Sequence, residues 1–164
     1  PGLVPLAMQV FDRHLPGLNQ LARPPQQLEI GAADLLRHPE GTITEAGLRN
    51  NLYVGLVYLA AWLQGRGAVP IHHLMEDAAT AEIARSQVWQ WIRHPGGVLD
   101  DGRRIDLDLV RRLLAEEQAR IRGELGEPAY DDGPYLLAGE LLDRVAAAEE
   151  LEEFLTLVAY DYLN

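Results

Sequence analysis

The chain has 164 residues, a formal net charge of −11 and no cysteine. At this length one domain with a sizeable core is expected, and 48% hydrophobic with 24% charged residues is ordinary for a soluble globular protein. The lack of cysteine excludes disulfides and thiolate metal sites, and the acidic balance argues against a nucleic-acid partner. No apolar run is long enough to span a bilayer and no signal-peptide pattern occurs, so the sequence predicts a cytoplasmic protein without a membrane partner.

The first forty residues differ in pattern from the rest of the chain. Apolar spacing predicts a short helix over residues 3–14, in which Pro5 is tolerable in the first turn. A loop rich in Pro and Gln is predicted over residues 16–28, and a second short helix over residues 32–37, stopped by Pro39 and Gly41. We therefore expect a domain boundary near this point.

A long helix is predicted from Thr44 to about residue 64. Thr44 is a favourable N-cap residue, and leucines recur along one face of the helix, at Leu48, Leu52, Leu56, Leu59 and Leu63. Gly47 and Gly55 interrupt the helix at a cost of about 0.8–1 kcal/mol each relative to alanine. Such glycines usually permit the close approach of another backbone, so this helix is expected to be central.

Four further helices complete the predicted fold. They are expected over residues 77–93, 106–125, 134–147 and 149–160. Asp106 is expected to cap the second of them and Pro134 to begin the third at its first helical position. No segment shows sustained two-residue alternation, so no strands are predicted. The expected fold is all-α, a helical bundle of about five main helices.

The most informative pattern is an acidic pair, Glu76 and Asp77, at the head of the 77–93 helix. Downstream of Asp77, Ala81, Arg85 and Val88 recur at helical spacing and so share one face. A lone carboxylate at a helix start usually caps free backbone N–H groups and is stabilised by the helix dipole. On spacing alone, the capping role is favoured.

The residues around this pair resemble a known family. Residues 75–91, MEDAATAEIARSQVWQW, closely resemble the signature of malate synthase of the A type. Three other segments agree with it in the right order. They are PGLVPLAMQVFDR at residues 1–13, TITEAGLRNNLYVGLVYLAAWLQGRGAVPI at residues 42–71 and FLTLVAYDYL at residues 154–163. The first resembles the end of the catalytic barrel of that family, and the last resembles its C-terminus.

The resemblance implies a domain of a larger enzyme. Malate synthase is a TIM-barrel enzyme with a helical C-terminal domain. Residues 1–40 then correspond to a barrel-end remnant and linker, and residues 41–164 to the helical C-terminal domain, with its own barrel as the missing partner. The sequence also begins at a proline without an initiator methionine, as expected of a proteolytic or engineered fragment.

The family resemblance also implies a reaction and a base. Malate synthase condenses acetyl-CoA with glyoxylate and hydrolyses the malyl thioester, in the glyoxylate cycle. The resemblance assigns to Asp77 the removal of a proton from the acetyl methyl group, a role for which an ionised carboxylate is available at neutral pH. The family's enolate-stabilising arginine and its magnesium-binding carboxylates lie in the barrel and have no match in this chain. No cofactor is therefore expected in the chain itself, which is expected to be inactive alone.

Other site candidates follow from the same resemblance. Met75 and Glu76 flank the proposed base and border the thioester end of acetyl-CoA in the family. Their alternative roles are packing for Met75 and a solvated carboxylate for Glu76. The segment from Pro1 to Pro5 resembles a loop near the coenzyme A pocket at the edge of the barrel.

Two polar groups are expected to be structural. Arg85 could approach the carboxylate face, but the spacing favours Glu82, three residues earlier, as its partner. Arg49, Asn50 and Asn51 form a polar cluster on an otherwise apolar helix. We expect them to form a buried hydrogen-bond network against the 77–93 helix rather than a site.

The remaining candidates are adjacent histidines and tryptophans. The pattern argues against His72 and His73 as metal ligands, because neighbouring side chains seldom ligate one ion together and no third ligand follows at helical spacing. Trp89 and Trp91 are expected to be core or interface aromatics.

A second class of function remains open, a non-catalytic helical interaction or scaffold module. A base must be accessible in a face that complements a barrel, whereas an N-cap can be buried and satisfied locally. An exposed apolar patch near Asp77 is expected if a barrel normally covers that face.

Overall fold

The structure is a computed structural model that describes residues 2–22, 29–37 and 40–163. It contains two compact units, Pro1–Glu40 and Gly41–Asn164. The first unit contains helices α1, Val4–His14, and α2, Ala32–Leu35, close to the predicted positions. Part of the predicted loop over residues 16–28, and Pro39, lie outside the described residues.

Within residues 41–163 the second unit is mostly helical, which confirms the predicted class. Its elements are α3, Glu45–Trp62; β1, Ala68–Ile71; β2, Leu74–Asp77; α4, Ala78–Arg93; α5, Leu107–Leu125; α6, Glu127–Asp131; α7, Tyr135–Ala147; α8, Leu155–Ala159; and a short 3₁₀ helix, Tyr160–Tyr162. None of the described helices is both long enough and apolar enough to cross a membrane.

Helix α3 lies at the centre of the second unit. The Thr44 Oγ1 atom accepts a hydrogen bond from the Gly47 N–H at 3.0 Å, so the predicted cap is confirmed. The helix contacts β1, α4, α5 and α7. A Cβ atom at Gly55 would lie 3.1 Å from the Leu142 side chain. The neighbour that requires this glycine is therefore a side chain of α7, not the backbone that the sequence led us to expect.

A β-hairpin joins α3 to α4, so the prediction that the chain contains no strands is wrong. Strands β1 and β2 pair antiparallel, with Ile71 opposite Leu74 across a two-residue turn. Val69 and Ile71 of β1 are buried, whereas β2 contains no buried residue. Each strand has only four residues and Pro70 interrupts the first, so the alternation is too short to be recognised in the sequence.

The helix predicted over residues 149–160 begins later than expected, with α8. Two side chains of α4 bind the backbone at its start. Arg85 donates from a terminal guanidinium nitrogen to the Glu153 carbonyl at 3.1 Å, and Glu82 accepts from the Leu155 N–H at 2.7 Å. These bonds replace the helical partners of that backbone. Arg85 also donates to Glu82 at 2.6 Å, which confirms the predicted pair.

The middle of the domain follows the predicted order with local differences. Asp106 caps α5, since its Oδ1 accepts from the Leu109 N–H at 2.8 Å, as predicted. After Gly126, with a φ of 83°, the chain forms the short helix α6, which was not predicted. Pro134 is the N-cap of α7 and not its first helical residue.

Arginines connect α3 to α5 through a network of ion pairs, and all fourteen basic residues of the chain are arginine. Arg49 of α3 donates to Glu45 at 2.7 Å and to the buried Glu117 of α5 at 3.0 Å. Arg103 pairs with both Glu45 and Asp101. The network therefore links the start of α3, the loop before α5 and the middle of α5.

The predicted network of Arg49, Asn50 and Asn51 against the 77–93 helix is therefore largely wrong. Arg49 pairs with acidic residues of its own helix and of α5, and Asn50 is exposed. Only Asn51 reaches α4, where its Nδ2 donates to the Gln87 Oε1 at 2.8 Å. The reason is electrostatic attraction, because the acidic face of α5 supplies carboxylates that pair with the Arg49 guanidinium.

Acid is expected to weaken this network. Hydrogen bonds from Arg103 and then Arg49 lower the pKa of Glu45, and Arg103 lowers the pKa of Asp101. Their stabilisation is complete above the unfolded-state values, about 4, and is lost as the pH falls through the lowered folded-state values. The midpoint of urea unfolding should therefore be steady from pH 7 to 5 and fall below about pH 4. Glu45→Gln should reduce that fall, and an unchanged pH profile in this variant would contradict the assignment.

The turn after α4 contains a glycine that no other residue should replace. A Cβ atom at Gly97 would lie 1.8 Å from the carbonyl oxygen of Trp91, whereas one at Gly96 would lie 3.1 Å from a side-chain atom of His94. Gly97→Ala should lower the free energy of unfolding by at least about 2 kcal/mol, because backbone must move. Gly96→Ala is the matched control, since the His94 side chain can turn aside. Equal losses in the two variants, measured by urea unfolding, would contradict this account.

Candidate functional site

Asp77 stands at the junction of β2 and α4. It is the N-cap of α4, and its Oδ1 accepts a hydrogen bond from the Ala79 N–H at 2.9 Å. The predicted capping role is therefore confirmed. The residue is nevertheless exposed, so the carboxylate is accessible while it caps. The positive end of the α4 dipole stabilises its charge.

The register of the hairpin gives Asp77 three apolar neighbours. Side chains alternate along a strand, and cross-strand partners share a face. Because Val69 and Ile71 face the core, the other face consists of Ala68, Pro70, Met75 and Asp77, with Ala68 opposite Asp77 and Pro70 opposite Met75. All four are exposed, and we call them the outer face. Asp77 is thus a carboxylate at one end of an otherwise apolar surface.

Met75 and Glu76 are separated by this alternation. Met75 lies on the outer face with Asp77. The two residues are two positions apart on one strand, which separates them by about 7 Å along it, and Met75 is 69% exposed. Glu76 is directed to the opposite face, is half-buried, and its Oε2 accepts from the Thr80 Oγ1 at 2.6 Å. An approaching molecule would meet Met75 and Asp77 together.

The predicted candidates near the N-terminus belong to the other compact unit. Pro5 is exposed in the first turn of α1. Pro1 lies outside the described residues.

Beneath the start of α4 lies a buried phenol, Tyr58 of α3. Its hydroxyl donates to the Gly67 carbonyl at 3.4 Å. Burial raises the pKa of Tyr58, and the nearby negative charges of Asp77 and Glu82 raise it further. The phenol therefore stays protonated at neutral pH.

Arg85, which helical spacing places on the same face of α4 as Asp77, forms no bond with that carboxylate. Arg85, 4% exposed, bonds Glu82 and the Glu153 carbonyl, and none of its hydrogen bonds within the described part of the chain goes to Asp77.

The two histidines form the hairpin turn. Both have positive φ, 47° at His72 and 67° at His73, and the His72 ring stacks on Tyr53. Across residues 2–22, 29–37 and 40–163, no group of three or more His, Asp or Glu side chains is arranged to hold a metal ion.

Large apolar side chains are exposed on β2 and α4, although of these only Met75 lies on the outer face with Asp77. Leu74, Met75 and Ile83 are each more than 60% exposed. The tryptophans of α4 are structural, as predicted: Trp91 packs against the core, and the Trp89 Nε1 donates to the Ala148 carbonyl at 2.9 Å. The sequence did not indicate that Ala68 and Pro70 belong to the site. Their only signal is the alternation with Val69 and Ile71 over four residues.

Comparison with known proteins gives a consistent result. The family model described as malate synthase, C-terminal, matches residues 42–163. The malate synthase of Myxococcus xanthus is 50% identical over 164 residues, covering 100% of this chain and 30% of that protein. The glyoxysomal malate synthase of Zea mays is 46% identical over 169 residues, covering 99% of this chain and 30% of that protein. The chain thus spans less than a third of the length of these relatives.

The cap and the charge of Asp77 can be separated by substitution. Asp77→Asn keeps a side-chain oxygen for the Ala79 N–H and should change the free energy of unfolding by no more than a few tenths of a kcal/mol. Asp77→Ala removes the acceptor and should cost about 1 kcal/mol. Thermal and urea unfolding of the chain measure both, with Asp106→Ala as a second cap for comparison. If Asp77→Asn proved as damaging as Asp77→Ala, the charge and not the cap would be what stabilises α4.

Proposed function

The chain belongs to the malate synthase family as its C-terminal domain, and from this we propose that it works within an enzyme that forms malate and CoA from acetyl-CoA, glyoxylate and water. The reaction is an acyl transfer by a Claisen-type condensation, and its metabolic place is the glyoxylate bypass. The observation that carries the proposal is the accessible Asp77 carboxylate on the outer face, at the head of the segment that resembles the family signature.

Asp77 is the base of the proposed reaction. Its Oδ1 is oriented by the Ala79 N–H, which leaves Oδ2 to accept a proton from the acetyl methyl group. The electrons of that C–H bond form the enolate of the thioester. The enolate carbon then bonds to the aldehyde carbon of glyoxylate, whose oxygen takes up a proton. Hydrolysis of the malyl thioester by water releases malate and CoA.

The apolar part of the outer face supports this role. When another surface covers Ala68, Pro70 and Met75, water is removed from around the carboxylate, and a carboxylate that loses water becomes a stronger base. Met75 is then the residue of this chain best placed to contact the thioester end of the substrate. Glu76, on the opposite face, and Pro1 and Pro5, in the first unit, are weaker candidates for that contact.

The remaining groups of the reaction are proposed to come from the barrel of the same enzyme. The chain has a net charge of −11, so cations for the phosphates of coenzyme A must be supplied by a neighbour. The described side chains do not fit a magnesium site, and we assign that ion to barrel carboxylates. No step attributed here to Asp77 depends on it.

The alternative, a non-catalytic helical interaction or scaffold module, has no need of a carboxylate on the outer face. A cap alone needs only the bond from Oδ1 to the Ala79 N–H and works equally well when buried. An exposed carboxylate beside exposed apolar residues is instead what a base on a covered face requires. We therefore prefer the catalytic role.

Complementation tests this proposal. The chain alone should produce no malate from acetyl-CoA, glyoxylate and magnesium. Mixed with a malate synthase barrel that lacks its own C-terminal domain, it should restore malate formation. Asp77→Asn should lower the restored rate by about 10²–10⁴-fold, the value of a general base.

Asp106→Asn is the matched control for that experiment. Asp106 is also an exposed aspartate that caps a helix, but it lies before α5 and not on the outer face. Its substitution should leave the restored rate unchanged. Near-normal activity of Asp77→Asn, with a barrel shown to bind the chain, would reject Asp77 as the base and favour the scaffold.

A further inference from the structure

The strand that carries Met75 and Asp77 is weakly attached along its length. No residue of β2 is buried. The strand contacts β1 at its side and α4 at its end, and it is β1 that lies on α3. The end of the hairpin away from α4 is the turn of His72 and His73. The position of the outer face therefore depends on what holds this turn.

The turn is held by an aromatic stack. The ring of His72 lies 4.8 Å from the ring of Tyr53, centroid to centroid, with the planes 19° apart. Tyr53 belongs to α3, the most buried helix of the domain. The stack thus connects the free end of the hairpin directly to the centre of the fold.

Tyr53 is itself fixed in place. Its hydroxyl donates to the Glu124 Oε2 at 2.8 Å, and the Arg120 guanidinium lies 4.7 Å from its ring centroid. Arg120 also donates to the other oxygen of Glu124 at 2.9 Å. Burial, followed by the bond to Glu124, raises the pKa of Tyr53 to about 12, so the phenol remains a donor at neutral pH. The stack therefore rests on an ordered support.

The residues of the turn are not those that the backbone alone would select. Both positions have the positive φ of a two-residue hairpin turn, which Asn and Gly adopt more readily than His. Histidine at the first position provides something that Asn would not, a ring that stacks on Tyr53. His73 makes no described aromatic contact of this kind.

We propose that Tyr53 and His72 are positioning residues that hold β2, and with it the outer face, in the geometry required by the substrate. This rests on the proposed function of Asp77. Neither residue touches the substrate; both act through the hairpin. Met75 lies nearer to the turn than Asp77 does, so loosening the turn acts mainly on how the thioester is placed. The expected defect is therefore smaller than the loss of the base.

The test compares two substitutions in the same turn, His72→Asn and His73→Gly. Each introduces a residue that the turn prefers at its position. Any decrease in melting temperature relative to the parent chain should therefore be no larger than the contribution of the stack. Only His72→Asn removes the stacked ring. In the chain, amide hydrogen exchange of residues 74–77 should become faster in His72→Asn and stay unchanged or become slower in His73→Gly.

The second readout is kinetic. It uses the complete enzyme of which, as we propose, this chain is a part. His72→Asn should lower kcat/KM for acetyl-CoA by about two- to tenfold, the factor that corresponds to one aromatic stack. His73→Gly should not lower it. Tyr53→Leu should reproduce His72→Asn in both readouts, and Tyr53→Phe, which keeps the ring, should recover most of the loss.

Two results would overturn the positioning role. Unchanged exchange in His72→Asn would show that the stack does not hold β2. Faster exchange with an unchanged kcat/KM would show a contact that serves only structure. The proposed function fails separately, through Asp77→Asn retaining activity, and in that case the exchange experiment still decides whether the stack holds the strand.

Discussion

The burial of α3 is the constraint on which the rest of the domain depends. A helix that is apolar around most of its circumference must be enclosed, and α3 is enclosed by β1, α4, α5 and α7. Each part of the site is positioned by contacts with α3 or by residues of α3. Val69 and Ile71 seat the hairpin against the core, Tyr58 lies beneath the start of α4, and Tyr53 supports the turn. The geometry of the exposed outer face is thus determined by the buried residues beneath it.

Much of this arrangement follows from local signals in the sequence. The sequence identifies Thr44, Asp77 and Asp106 as caps, because a cap bonds backbone only two or three residues away in the sequence. The order of the long helices follows from the spacing of apolar residues in the same way. The importance of the segment around Asp77 came from its resemblance to a family signature and not from spacing, which by itself favours a cap and nothing more.

The parts that were missed are decided by contacts distant in sequence. Residues 149–154 have a helical composition, but Trp89 and Arg85 of α4 bond the carbonyls of Ala148 and Glu153. The hairpin is similar, because strands of four residues become recognisable only once they are paired. With the register known, Met75 joins Asp77 on one face and Glu76 is assigned to the other. Neighbours in sequence thus become residues with different environments, a separation that their order alone does not reveal.

The exclusive use of arginine has a chemical consequence for a domain proposed to meet an acyl thioester. Thioesters acylate free amines, and the lysine amine is the usual protein target, whereas a guanidinium stays charged and is a poor nucleophile. With all fourteen basic side chains arginine, no side chain here offers such an amine. The cations that hold α3 to α5 are therefore protected from adventitious acylation by the substrate. Their charge, and the ion pairs built on it, would persist through repeated exposure to an acyl donor.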